Sequence, residues 1–156
     1  MIKGAIIDET GKYRYQLWRI WDQTLPLAVF IMLNPSTADA EEDDPTIRRC
    51  MNYARSWGYG GIKVVNLFAY RATNPMELAK VSDPIGPLNN QYIFDAVNNS
   101  YIVIAAWGTH GSLYNRDKKV IRIFENKLRY LGLTKDGHPK HPLYLKADLK
   151  PVKWAI

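Results

Sequence analysis

The sequence predicts an α/β fold: a three-layer α/β/α sandwich around a mostly parallel central sheet, with a β-hairpin at its N-terminus. Three observations lead there. Short, continuously apolar runs end in polar or glycine-containing loops, as strands buried on both faces do. Amphipathic stretches at helical spacing separate those runs, and strands that alternate with helices build parallel sheets. Ahead of them Tyr13, Tyr15 and Leu17 alternate with Arg14 and Gln16 behind a turn-like Glu9-Thr10-Gly11-Lys12, which is a hairpin pattern.

The elements follow in order. Ala28 to Leu33 is the first buried strand, bounded by Asn34-Pro35. Asp44-Pro45 supplies an N-cap and a proline at the first helical position; Ile47, Cys50, Met51, Ala54 and Trp57 then recur at helical spacing until Gly58, so a helix is expected between them. Ile62 to Asn66 and Tyr101 to Ala106 are further buried strands, with a weaker helical stretch, Leu88 to Val97, between them. Val120, Ile121, Phe124, Leu128 and Leu131 form an apolar stripe ending at Gly132, which predicts a last helix, and Leu143 to Leu145 predicts a last strand. At 156 residues the chain fits one domain, 1–156, since chains divide only beyond about 250 residues.

Composition narrows the function classes. At 47% hydrophobic and 23% charged the chain is neither disordered nor membrane-spanning by type, and its longest apolar run, Leu25 to Leu33, carries Pro26 and is short of the roughly 20 residues a bilayer requires. Met1 to Glu9 lacks the order of a signal peptide, so a cytoplasmic protein is expected. The single Cys50 excludes an intramolecular disulfide and a four-cysteine cluster. Residues 111–156 carry eleven Lys/Arg against four Asp/Glu, while residues 1–110 carry ten against eleven. The positive field therefore belongs to the last third, and it favours anionic partners.

Open parallel sheets bind ligands outside the carboxyl ends of their strands. Those ends read Asn34-Pro35-Ser36-Thr37, then Asn66-Leu67-Phe68-Ala69-Tyr70-Arg71, then Trp107-Gly108-Thr109-His110, and finally His138-Pro139-Lys140-His141-Pro142. Amides, aromatics and histidines collect there. No glycine-rich dinucleotide fingerprint, phosphate-binding loop, zincin helix or nucleophile elbow is present, so no cofactor is expected. His138 and His141 lack a third nearby ligand, and no metal is assigned to them.

Tyr13-Arg14-Tyr15, Met32 to Ala38, Asp43 to Arg49, Asn66 to Thr73 and Pro139 to Leu145 together resemble a bacterial and phage family catalogued as domain of unknown function 1643. Across Ala28 to Leu145 the chain also resembles, more distantly, the uracil-DNA glycosylase superfamily. Leu33-Asn34-Pro35-Ser36 is similar to the motif whose asparagine aligns the attacking water. Val65 to Arg71 is similar to the segment whose asparagine reads the base edge, and His141-Pro142-Leu143 to the motif whose histidine stabilises the leaving base. That resemblance implies a uracil-DNA-glycosylase-like sandwich and a DNA glycosylase-like activity. It assigns Asn34 and His141 to catalysis and Asn66 to the base edge. Pro35, Ser36, Phe68, Tyr70, Arg71, Trp107 and His110, gathered at the same strand ends, are expected to meet the substrate, and Lys140 and Lys146 of the basic last third to contact phosphate. The partner would be nucleic acid or nucleotide, with no membrane.

Cleaving an N-glycosidic bond develops negative charge on the departing base, so a positioned donor such as His141 acts mainly in the transition state. Asn66 offers the donor and acceptor that a Watson–Crick edge requires, and Phe68 or Tyr70 offers a ring to stack on it. Asn34, an amide, orients water without taking its proton. Two other readings stand beside this one: a hydrolase acting on a free nucleoside or nucleotide, and a binding module without chemistry. Asn34-Pro35-Ser36 also fits a plain Asx turn, and His141 a rigid structural turn. The acidic run Asp39 to Asp44 reads as a solvated loop, a metal-binding element, or a feature adverse to DNA.

Overall fold

The computed structural model describes residues 1–155. Its seven strands form one sheet in the order β1-β2-β4-β3-β5-β6-β7: β1 Ile2–Ile7, β2 Arg14–Ile20, β3 Leu27–Met32, β4 Gly61–Asn66, β5 Ile102–Ala105, β6 Leu128–Tyr130 and β7 Val152–Lys153. Three helices join them, α1 Pro45–Ser56, α2 Asn89–Asn98 and α3 Arg116–Phe124. The class is α/β, as expected, but the sheet is mixed rather than mostly parallel. Only β4, β3, β5 and β6 run parallel. The hairpin β1–β2 continues the sheet antiparallel to β4, and β7 returns antiparallel on β6.

Strand β3 shows why both faces are covered. Ala28, Phe30 and Met32 pack with Ile47, Cys50, Met51 and Ala54 of α1. The alternate residues Val29 and Ile31 pack with Ile93, Ala96 and Val97 of α2 and with Val120 and Phe124 of α3. Successive strand side chains point to opposite faces, so a run of six apolar residues feeds two cores at once. Helix α1 starts as its sequence demands: Asp44 Oδ1 accepts from Ile47 N at 2.9 Å, Pro45 sits at the first turn, and Gly58 follows its end with φ +85°.

The C-terminal part departs from expectation. The apolar stripe predicted as one helix to Leu131 splits, because α3 stops at Phe124, a 3-10 turn spans Glu125–Lys127, and Leu128–Tyr130 becomes β6. Leu128 packs in the same core as Val120 and Phe124, so a strand residue mimics the next helical position. Leu131 crosses to the other core. Leu143 to Leu145 is a turn and not a strand; the sheet ends instead in β6 and β7. Among the described residues no helix is long and apolar enough to cross a membrane.

Candidate functional site

The parallel register sets Met32 beside Asn66, and pairing runs on past both strand ends: Leu67 N donates to Met32 O at 2.9 Å, Phe68 N to Leu33 O at 3.0 Å and Ala72 N to Pro35 O at 2.9 Å. The loops after β3 and β4 therefore leave the sheet side by side. A third segment is brought in by the turn 132–140, in which Lys140 N donates to Gly132 O and Thr134 N to His138 O, both at 2.8 Å, while Gly108 N donates to Pro139 O at 2.8 Å. Between these loops and the first turn of α1 lies a cavity of about 420 Å³, within the range of small-molecule sites. Asn34, Pro35, Ser36, Asn66 and His141 all line it, with Arg14, Asp44, Thr46, Thr73 and Leu143.

Asn66 is the least satisfied of them. It is 1% exposed, and neither Nδ2 nor Oδ1 has a hydrogen-bond partner. Its main chain, by contrast, is fixed: Asn89 Nδ2 donates to Asn66 O at 2.8 Å and to Leu67 O at 3.1 Å, and Arg116 Nε donates to Leu67 O at 2.8 Å. A buried amide left unpaired costs about 1–3 kcal/mol. Rigid backbone beneath an unsatisfied donor–acceptor pair is the form of a recognition group. Asn34 is half-buried and uses Nδ2 to hold the two loops together, donating to Ala72 O at 2.8 Å and Pro35 O at 3.1 Å. Its Oδ1 has no donor among the described residues and is left to accept.

His141 has a defined tautomer. Leu143 N donates to its Nδ1 at 3.2 Å, so that nitrogen carries no proton and Nε2 carries the N–H. Burial pushes the imidazole below its ordinary value, and the Asp44 carboxylate opposes this only in part. The ring is thus a neutral donor.

Two arginines of β2 complete the surroundings. Arg14 lines the cavity, is 2% exposed, and donates from Nη1 to Ala38 O at 3.1 Å. Burial brings its guanidinium down to about 10, with Asp44 acting to raise it and Arg71 and Arg19 to lower it further; it stays charged at neutral pH. Arg19, fully buried, clamps the acidic run: Nε meets Asp43 Oδ1 at 2.7 Å, Nη2 donates to Asp39 O and Glu42 O, and Nη1 to Gly4 O and Trp18 O. The run is a tied structural loop, and Asp44 spends its Oδ2 on Ala38 N at 3.3 Å.

A family model described as protein of unknown function (DUF1643) matches residues 14–143, a span that begins and ends on cavity residues. The chain belongs to the DUF1643 family. No curated protein and no solved structure matches it.

The other expected site residues of this DUF1643 chain lie outside the cavity. Phe68 is fully buried in the core beside Leu67 and Val103, because continued pairing with Leu33 turns its side chain inward. Tyr70 bridges to Tyr13, ring edge to face at 6.0 Å, and Arg71 donates to Ser36 O and Gly11 O, bracing the loops. Trp107, His110 and Lys140 line an adjoining depression of about 380 Å³ that shares Leu33, Pro75, His141 and Leu143 with the cavity. Trp107 is 1% exposed with its Nε1 unpartnered. Lys146 is exposed and lines neither. Sequence reasoning missed Arg14 and Asp44 as cavity residues; the signal was present in Asp44-Pro45, where the helix N-terminus points at the strand ends.

Proposed function

We propose that this DUF1643 chain holds a nucleobase in the cavity and hydrolyses its N-glycosidic bond, in the manner of a uracil-DNA-glycosylase-like α/β/α sandwich. The observation that carries the reading is the Asn66 amide, buried, unpaired and held on fixed backbone beside Asn34 and His141. A base edge supplies the acceptor and donor that Asn66 lacks. Helices packed on both faces of four parallel strands, with the cavity at their carboxyl ends, support the fold comparison.

In the reaction, water adds to the sugar carbon as the glycosidic electron pair leaves with the base. Asn34 Oδ1 accepts a hydrogen bond from that water and orients it. The Nε2–H of His141 meets the charge that grows on the base oxygen; being neutral, it stabilises the anion without first giving up a proton. No side chain in this set takes the water proton, which passes to bulk water while the departed base anion takes a proton back from solvent, so turnover is slow. Lys140 and Lys146, exposed on the basic last third, would hold phosphates.

Incubating the protein with a panel of free nucleosides and nucleotides and of oligonucleotides that carry uracil or damaged bases should release free base from at least one member, and Asn34→Ala, checked for folding by circular dichroism, should abolish release. Absence of release across the whole panel would defeat the catalytic reading.

A further inference from the structure

The cavity contains a second under-bonded group. Of the Arg14 nitrogens only Nη1 has an acceptor among the described residues; Nε is buried without one. Nε–H and the adjacent Nη2–H are parallel donors on one edge of the guanidinium plane, the edge that grips two oxygens of a single phosphate or carboxylate. Asp44 does not occupy that edge. Its oxygens accept from Ile47 N and Ala38 N, and it forms no ion pair with Arg14 among the described residues. It offsets the charge of the cation without using its donors. The other arginine of the strand shows the contrast, since Arg19 makes five hydrogen bonds at equal burial.

We infer that Arg14 anchors an oxyanion in this cavity and that the ligand is a free nucleoside monophosphate, with its base on Asn66 and its terminal phosphate on the unpartnered edge of Arg14. The inference rests on the nucleobase reading above and specifies its substrate class. The burial of Arg14 decides against a nucleic-acid strand. A phosphodiester continues into a neighbour on each side and keeps its oxygens near a surface, whereas a guanidinium 2% exposed is reached by a phosphate that ends the molecule. Asn66 and Arg14 line one cavity of about 420 Å³, which offers a single ligand both a flat hydrogen-bonding partner and a cation.

The test is calorimetry on the full chain with the five common nucleosides, their 5′-monophosphates, inorganic phosphate and a uracil-containing single strand. One monophosphate should bind at least ~10-fold tighter than its nucleoside, as expected for hydrogen bonds to a charged group. Arg14→Gln should erase that difference by weakening the monophosphate at least ~10-fold more than the nucleoside. Arg14→Lys, which keeps the charge and loses the paired donors, should recover only part of it; thermal unfolding checks both variants, and the wild-type comparison stands without either. Equal affinity for nucleoside and monophosphate, with nucleoside binding lost in Asn66→Leu, would overturn the Arg14 assignment and spare the nucleobase reading. Phosphate binding that gains nothing from an attached nucleoside would overturn both. A strand that outbinds every monophosphate and ignores Arg14→Gln would overturn the choice of a free nucleotide.

Discussion

Replacing Asn66 by leucine separates function from stability in one step. The side chain is 1% exposed and neither polar atom is paired, so the folded protein carries a desolvated amide with nothing returned for it. Leucine has nearly the same branched shape and no polar atom. Asn66→Leu should therefore remove a penalty of about 1–3 kcal/mol, and at ~2–4 °C per kcal/mol for a domain of this size the midpoint should rise by ~2–12 °C. Asn66 ends a central parallel strand, where an aliphatic residue is also the better strand former. Nucleoside binding should disappear in the same variant. Circular dichroism melts of the two proteins at one pH, with calorimetry against the nucleoside panel, read both quantities. A midpoint that falls, together with retained nucleoside binding, would show that the amide is satisfied inside the protein and would refute the argument from its orphaned atoms.

Three further outcomes follow from the same geometry. Burial depresses His141 below its ordinary 6.5, so the unfolded chain takes up the proton first: this contribution to stability is complete above about pH 6.5 and is lost as pH falls through that value toward the depressed one. His141→Gln should flatten the melting-temperature profile between pH 7 and 5, by up to ~1.4 kcal/mol per pH unit; parallel profiles would refute it. Arg19→Met strips the clamp from Asp39, Glu42 and Asp43 and should cost about 1–3 kcal/mol in urea unfolding, since it leaves part-buried carbonyls without their donor and Asp43 with Lys3 alone. Cys50 is fully buried and its thiol is pushed up by desolvation. It should resist an aromatic disulfide reagent in the native state and react only as the protein unfolds.

What the sequence made legible was local. The β3 run is continuously apolar because it feeds two cores, and Asp44-Pro45 caps a helix by chemistry confined to four residues. From those elements the carboxyl-end rule brings Asn34 and Asn66 together, and His141 does join them. Legibility ended where tertiary contacts decide. Leu128 continues a helical stripe yet sits in a strand, because both elements bury it in the same core. Phe68 reads as a stacking ring in a loop, but the loop is still paired to Leu33, and the ring is core. The positive excess of the last third drew attention to Lys140 and Lys146, while the cation in the cavity wall comes from the nearly neutral first part. Arg14 sits between Tyr13 and Tyr15, where alternation assigns it the outward side; the distant Ala38–Asp44 segment covers it instead.

Arg14 and Arg19 form an internal comparison that bears on why the cavity is polar. Both belong to β2, both are buried, and both donate to the same segment after β3. A buried cation is tolerated when its donors are used, and Arg19 meets that condition from the protein alone. Arg14 meets it with one bond. Were the cavity only a packing defect, the less costly solution would be an aliphatic residue at that position, with Met32, Val64 and Ile47 already lining the wall. Instead an unpaired guanidinium and an unpaired amide line the same space. Two uncompensated polar groups among the residues that line one cavity, each on rigid strand backbone, are costs that a bound polar ligand offsets together.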